Sequence, residues 1–238
     1  MVQKFCLLME RLILFDIDGT LTRTENGYIP FNEAILQTFG WNGDIRTVVP
    51  DGNTDPLIVQ DIFTGANIAF EFEQGIWERF TIKLRERYHH HVMRGTTKVR
   101  ALPGTDDLLR ALAASEKICP SVVTGNFEAT AEIKLETAGL APYLCRGAYA
   151  SDSHRRADLP AIAKARREQI TGTSLLPEHC IIIGDTPNDL QAARDNQMKC
   201  ILVGTGRYPI EELRYWQPDA CLADLSDTES VLSILAEI

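Results

Sequence analysis

Hydrophobic and polar positions along the chain follow two different rhythms. Residues 12–15 form an unbroken apolar run that stops at Asp16-Ile17-Asp18-Gly19-Thr20, the pattern of a buried strand ending on a glycine turn. Between residues 30 and 95 the rhythm changes. Segments 31–39, 55–63 and 68–92 carry apolar residues at three- and four-residue spacing, with no strand-like alternation of comparable length, which predicts a helical insert. From about residue 102, helical patterns alternate with short apolar runs. Helices are expected at 106–115, 128–138, 159–170, 188–197 and 227–237, with a shorter one near 209–215. Strands are expected at 121–124, 144–149, 181–184 and 201–203, with a weaker one at 221–223.

Strands separated by helices of this length imply parallel β-α-β units with right-handed crossovers. The expected class is therefore α/β, a doubly wound parallel sheet carrying an inserted small helical domain. Residues 1–24 and 96–238 are assigned to the core and 25–95 to the insertion. In such sheets ligands bind at the carboxyl ends of the strands, so the polar residues found there are the candidates.

Three strand ends stand out. Residues i and i+2 of a strand face the same way, which would bring the Asp16 and Asp18 carboxylates to one spot, where like charges call for a cation or a proton between them. That suits metal-assisted group transfer with one carboxylate as nucleophile and the other as acid or base, although an acidic turn would read the same. Thr124-Gly125-Asn126 precedes a helix start, as an anion site at a helix N-terminus or as simple capping by Asn126. Gly184-Asp185-Thr186-Pro187-Asn188-Asp189 follows the fourth strand. Thr186 and Pro187 suit an N-cap and first helical position, and capping would account for Asp189 but not for Asp185, whose place fits a hard oxygen ligand for magnesium.

Composition narrows the partners. The chain has 238 residues, 45% apolar and 24% charged, with a formal net charge of -9, which argues against a nucleic-acid backbone or an anionic membrane as partner. No apolar stretch approaches the roughly 20 residues that span a bilayer, and the N-terminus makes a poor signal peptide. The six cysteines (6, 119, 145, 180, 200 and 221) show no Cys-x-x-Cys spacing, and four adjoin apolar runs, as reduced thiols of a cytoplasmic protein would. His89-His90-His91 point in different directions on a helix, so a solvated helix end is expected rather than a metal site. Phe70, Phe72, Trp77, Phe80 and Tyr88 are expected to pack within the insert and against the core.

Together the strand-end motifs resemble those of the haloacid dehalogenase-like hydrolase superfamily. Asp16-Ile-Asp18-Gly-Thr20 matches its first motif, Thr124 in Val-Val-Thr-Gly-Asn its second, and Gly184-Asp185-Thr-Pro-Asn-Asp189 its fourth, while the helical insert is similar to its cap. Gly52-Asn-Thr-Asp55 resembles a cap turn of the branch that includes phosphoglycolate phosphatases and β-phosphoglucomutases. The third motif departs from the usual lysine. The region 152–160 has none, and Arg156 is the expected replacement, with Arg155 and Lys164 as alternatives.

The resemblance implies a Rossmann-like core and a phosphatase acting on a small phosphorylated metabolite. Asp16 would be the nucleophile and Asp18 the acid and base, its pKa raised by neighbouring carboxylates. Magnesium would be held by Asp16, the Asp18 backbone carbonyl and Asp185, with Asp189 orienting its water shell. Thr124 and Arg156 would hold the phosphoryl group, and Thr20, Gly125 and Asn126 are further substrate-binding candidates. An aspartate at position 18 disfavours carbon-halogen and phosphonate cleavage. A sugar-phosphate mutase and a non-catalytic phosphate-binding protein are the alternatives, and the expected assembly is a monomer or homodimer.

Overall fold

The computed structural model describes residues 11–69 and 75–238. The chain opens with β1 (Arg11–Phe15) and β2 (Thr22–Glu25), then passes through helices α1 (Tyr28–Phe39), α2 (Asp55–Gly65) and α3 (Ile76–Met93) to β3 (Lys98–Ala101). Helix and strand then alternate: α4 (Thr105–Ala113), β4 (Ile118–Val123), α5 (Glu128–Thr137), β5 (Cys145–Ala148), α6 (Leu159–Thr171) and β6 (Cys180–Gly184). The series continues with α7 (Pro187–Asp195), β7 (Lys199–Val203), α8 (Ile210–Tyr215), β8 (Ala220–Leu222) and α9 (Thr228–Glu237).

Six of the strands form one parallel sheet in the order β5-β4-β1-β6-β7-β8. Its strands are apolar at successive positions because both faces are covered. Alternation sends Ile13, Phe15, Ile181, Ile183, Ile201 and Val203 to one face, under Leu108, Leu109 and Leu112 of α4 and Val231 and Leu235 of α9. It sends Leu12, Leu14, Ile182 and Leu202 to the other, under Leu159 and Ala163 of α6 and Leu190 and Ala193 of α7. This is the expected doubly wound α/β sheet. β1 lies at its centre, with β4 on one side and β6 on the other, so the order of strands reverses beside the end of β1. No helix among the described residues is long and apolar enough to cross a membrane.

β2 and β3 were not legible in the sequence. They form a separate antiparallel pair, Thr22 opposite Ala101 and Glu25 opposite Lys98, that holds the outgoing and returning segments of the insert side by side. Their sequences, Thr-Arg-Thr-Glu and Lys-Val-Arg-Ala, lack apolar alternation because most of the pair is solvated. Thr22 and Val99 are its buried members.

Helices α1, α2 and α3 pack on one another through Phe31, Ile35, Val59, Ile62, Phe80 and Leu84. Phe127, from the core, joins that cluster, with its ring centroid 6.0 Å from Phe80 and 6.4 Å from Trp77. The aromatics therefore do pack within the insert and onto the core, although Phe70 and Phe72 lie outside the described residues. One expectation fails. His89 and His90 are exposed, but His91 is buried with Nε2 2.9 Å from Glu33 of α1. Position 91 continues the buried stripe of Phe80, Leu84 and Tyr88, so the contact between α3 and α1 reaches the end of the helix.

The loop before α2 clasps the core. The Asp55 N-H donates to the Gly125 carbonyl (2.7 Å), the Phe127 N-H donates to the Asp55 carboxyl (2.9 Å), the Thr54 hydroxyl donates to the His154 carbonyl (2.7 Å), and Asn188 Nδ2 donates to the Gly52 carbonyl (3.0 Å). Gly125 permits this approach, since a Cβ there would overlap the Asn53 carbonyl. Burial pushes the Asp55 carboxyl up to about 7, against the opposing pull of Lys134 and of the Phe127 N-H.

That shift gives the clasp a pH dependence. An unfolded aspartate ionises near pH 3.9, roughly, so as pH rises towards 7 the unfolded chain releases this proton first and the group progressively destabilises the fold. Asp55→Asn keeps an acceptor for Phe127 and cannot ionise. It should match the wild type in urea unfolding at pH 4 and be more stable by about 1–3 kcal/mol at pH 8. An equal difference at both pH values would show that ionisation of Asp55 is not the cause.

Candidate active site

β1 delivers Asp16 to the end of the sheet, where its N-H still donates to the Ile183 carbonyl (2.9 Å) and so fixes it beside β6. The chain then turns sharply at Gly19, which has φ +85° and whose N-H donates to the Thr22 carbonyl (2.9 Å). This turn returns the Thr20 hydroxyl to Asp185, just past β6, at 3.0 Å from Oδ1. Thr20 is thereby buried as a support for Asp185 and does not line the cavity described below.

Asp189 serves two neighbours. Its Oδ2 accepts from the Thr186 N-H (3.1 Å) and hydroxyl (2.7 Å), closing a capping box at the start of α7, while Oδ1 pairs with Arg156. Arg156 also reaches Asp16, with Nη2 3.2 Å from Oδ1. Of the three basic residues considered for this position, Arg156 is buried at the acids, Arg155 is exposed, and Lys164 pairs with Glu168 on its own helix.

Oxygens of Asp16, Asp185 and Asp189 lie within 4.8 Å of one another, all three residues buried. One guanidinium faces three carboxyls, and the imbalance is visible in their protonation. Asp16 is raised by burial, opposed by Arg156 and reinforced by Asp189 and Asp18. Asp185 is raised by burial, then by Asp16 and Asp189, with the Thr20 hydrogen bond acting against them. Hard oxygen donors with excess negative charge, gathered in one buried spot, fit a divalent cation such as magnesium.

Asp18 does not share that spot. Its carboxylate turns the other way, 2.6 Å from Lys134 Nζ and 2.8 Å from Asn126 Nδ2, with the Thr24 hydroxyl at 3.4 Å. The strand rule that would align it with Asp16 fails because the strand ends at Phe15 and residue 18 already belongs to the turn. Its ionisation also runs opposite to expectation. Burial raises the Asp18 pKa, but the charge and hydrogen bond of Lys134, with those of Asn126 and Thr24, bring it below the ordinary value. Burial is the largest single influence on this carboxyl, yet the charge and hydrogen bond of the lysine, joined by Asn126 and Thr24, together outweigh it.

Lys134 was not singled out from the sequence. It sits on α5, 4% exposed, and donates to both Asp18 and the side-chain Oδ1 of Asn126 (2.7 Å). The readable signal was a lysine between Ile133 and Leu135, four residues after Thr130, on the face that turns out to be buried. Asn126 is not a helix cap. Phe127 holds that position, and the Asn126 amide instead joins Asp18, Lys134 and the Thr124 hydroxyl (2.8 Å).

These groups face a cavity of about 430 Å³ between the carboxyl ends of the central strands and the insert. Asp16, Asp18, Thr124, Lys134, Arg156 and Asp185 line it from the core, and Tyr28, Phe31, Arg46, Ile58 and Tyr88 from the insert. The Arg46 guanidinium lies 4.2 Å from the centre of the Tyr28 ring.

Residues 10–196 match the family model described as haloacid dehalogenase-like hydrolase. The chain is 28% identical to a 5'-nucleotidase of Pseudomonas aeruginosa over 92% of its own length and 94% of the relative's. Among solved structures, a predicted phosphoglycolate phosphatase from Haemophilus somnus superposes with a TM-score of 0.67 at 19% identity, covering 96% of this chain and all 100% of that one. CbbY from Rhodobacter sphaeroides, solved in complex with phosphate, gives 0.66 at 21% identity, with 92% and 96% covered. These structures share the fold. The family match spans the turn after β1, the loop before α5 and the start of α7 alike, and the chain belongs to the haloacid dehalogenase-like hydrolases.

Proposed function

We propose that this hydrolase is a magnesium-dependent phosphatase that cleaves a small phosphorylated metabolite through an aspartyl-phosphate on Asp16. The observation that carries the reading is the buried trio Asp16, Asp185 and Asp189 around Arg156, opening on a cavity that also contains the Asp18-Lys134 pair. Asp16 and Asp185, with the Asp18 backbone carbonyl, are the groups that would hold the ion, and Asp189, paired with Arg156 and Thr186, would orient its water shell. When bound, magnesium supplies the positive charge that offsets repulsion between the carboxylate and the phosphate.

The remaining chemistry belongs to the side chains. An Asp16 oxygen attacks phosphorus, forming the acyl-phosphate bond as the ester P-O bond breaks. Arg156, the Thr124 hydroxyl and the backbone N-H groups at Gly125 and Asn126 hold the phosphoryl oxygens. Asp18 gives a proton to the leaving oxygen. Since Lys134 keeps Asp18 ionised at rest, that proton is brought by the monoanionic form of the substrate phosphate, the minor form at neutral pH because its second pKa is about 6. Asp18 then takes a proton from the water that attacks phosphorus and releases Asp16. Residues 25–95 act as a cap that shields these steps from bulk water.

A cavity of about 430 Å³ with two tyrosines and an arginine suits a leaving group of sugar or nucleoside size. The name of the 28% relative puts nucleoside 5'-monophosphates first among substrates to try.

Phosphate release should be measured against nucleoside 5'-monophosphates, sugar phosphates and short phosphorylated acids, with magnesium and with a chelator. Turnover should require the ion, and Asp16→Asn should lower kcat by about a thousandfold or more. Activity only in a bisphosphate-primed isomerisation assay would identify a mutase instead. No turnover in either assay would leave a phosphate-binding protein.

The lysine makes a separate prediction. Lys134→Met should reduce kcat by about a hundredfold with a smaller change in KM, and Lys134→Arg should recover part of the loss. An unchanged kcat in a folded Lys134→Met protein would remove Lys134 from the proton chemistry.

A further inference from the structure

Three cations among the described residues line the cavity: Arg156, Lys134 and Arg46. Each already faces a carboxylate. Arg156 meets Asp16 and Asp189, Lys134 meets Asp18 at 2.6 Å, and the Arg46 guanidinium forks onto Asp44, with Nε 3.0 Å from Oδ1 and Nη2 2.7 Å from Oδ2. Asp51, also in the lining, pairs with Arg207 of the core at 3.3 Å. Beyond the groups that would grip the phosphoryl oxygens, these walls hold no unmatched positive charge. A leaving group with a carboxylate or a second phosphate would bring an unpaired charge into this space, which is costly. An uncharged leaving group would not.

Arg46 is built as a surface rather than as a free charge. Asn32 of α1 donates to Asp44 Oδ1 (2.9 Å) and accepts from the Ile45 N-H (2.9 Å), and the Arg46 N-H donates to the same Asp44 oxygen (3.0 Å). The side chain is thus fixed by the turn that carries it, with its guanidinium carbon 4.2 Å from the centre of the Tyr28 ring at the start of α1. One face of the guanidinium covers the tyrosine. The other is open, the side chain being 60% exposed, and Nη1 is the edge not spent on Asp44. A planar cation seated on an aromatic ring, with its outer face and one donor edge left over, suits a second flat ring.

On the phosphatase reading, we propose that Arg46, clamped over Tyr28 by Asp44, selects the leaving group, and that the substrate is a nucleoside 5'-monophosphate whose base stacks on the outer face of that guanidinium. Arg46 Nη1 donates to an oxygen or ring nitrogen on the edge of the base. The phosphate lies at Arg156 and Thr124 on the core side and the base at Arg46 on the insert side, so both walls of the cavity are used. Sugar phosphates lack the ring and phosphorylated acids carry the extra charge, so both bind less well. Arg46 is distant from the reacting atoms in this arrangement and acts on specificity.

The test compares uridine and adenosine 5'-monophosphates with ribose 5-phosphate, which lacks only the base, and with a short phosphorylated acid, using the full-length protein and magnesium. The wild type should give a kcat/KM for the nucleotides at least about tenfold above that for ribose 5-phosphate. Arg46→Ala and Tyr28→Leu should each lower that ratio by about fivefold or more, mainly by raising KM for the nucleotide. Arg46→Lys keeps the charge without the plane and should resemble Arg46→Ala. Circular dichroism checks folding, and Arg46, an exposed position, decides the matter without Tyr28→Leu. A wild type that does not discriminate, a preference for the acid, variants that slow both substrates by the same factor, or full recovery with lysine would each overturn the proposal. Calorimetry on the Asp16→Asn protein separates it from the phosphatase reading. If no substrate is turned over, tighter binding of the nucleotide than of ribose 5-phosphate, lost when Arg46→Ala is added, still supports base recognition, and equal binding or none overturns it.

Discussion

Charge balance at the end of β1 and β6 is the constraint on which the rest of the structure depends. Three carboxyls converge there with one guanidinium, in a place the apolar sheet leaves poorly solvated. An arrangement of this kind is costly unless every acid has a partner. Each one does: Asp189 is capped by Thr186 and paired with Arg156, Asp185 accepts from Thr20, and Asp16 faces Arg156. The remaining excess of negative charge is what makes the site fit a cation. It also explains why raised carboxyls and a buried arginine occur together, since each is intelligible only through the other.

The second pole of the site is built differently. Lys134 neutralises Asp18 with a single buried cation, and Asn126 holds both through its two amide atoms. Asp55, which lies near enough to be influenced by Lys134, ties the same region to the insert through Gly125 and Phe127. The clasp and the Asp18 pair therefore share one cation. Withdrawal of the loop at 52–55 would expose the Asp55 carboxyl to water and remove a neighbour of Lys134, so movement of the insert and the electrostatics around Asp18 are linked through that lysine.

Much of this was legible in the sequence because it is local. Strands buried on both faces must be apolar at every position, and helices between them must carry an apolar stripe, so the α/β alternation showed directly. The polar residues after β1, β4 and β6 stood out as interruptions, and capping chemistry marked Thr186, Pro187 and Asp189. What the sequence concealed depends on the third dimension. β2 and β3 are solvated on most of their surface, so no periodicity marks them. His91 belongs to a buried stripe that becomes visible only once α1 lies beside α3. Lys134 resembled any helical lysine, and its partners Asp18 and Asn126 are 116 and 8 residues away.

The two aspartates of the first turn show how fold topology assigns chemistry. Their sequence spacing suggested two carboxylates at one spot with a cation or a proton between them, yet Asp16 still hydrogen-bonds to β6 and Asp18 belongs to the turn beyond the strand. The first is raised chiefly by burial and then by the acids around it, with Arg156 opposing them, so its charge needs a neighbouring cation. The second is held against a lysine, which keeps it ionised without one. Two groups of identical intrinsic acidity are thus separated in behaviour by which side of a glycine-directed turn they face. In the proposed two-step hydrolysis these are the demands on nucleophile and base, one charge that a cation sustains and one that stands without it, and the turn at Gly19 is what separates them.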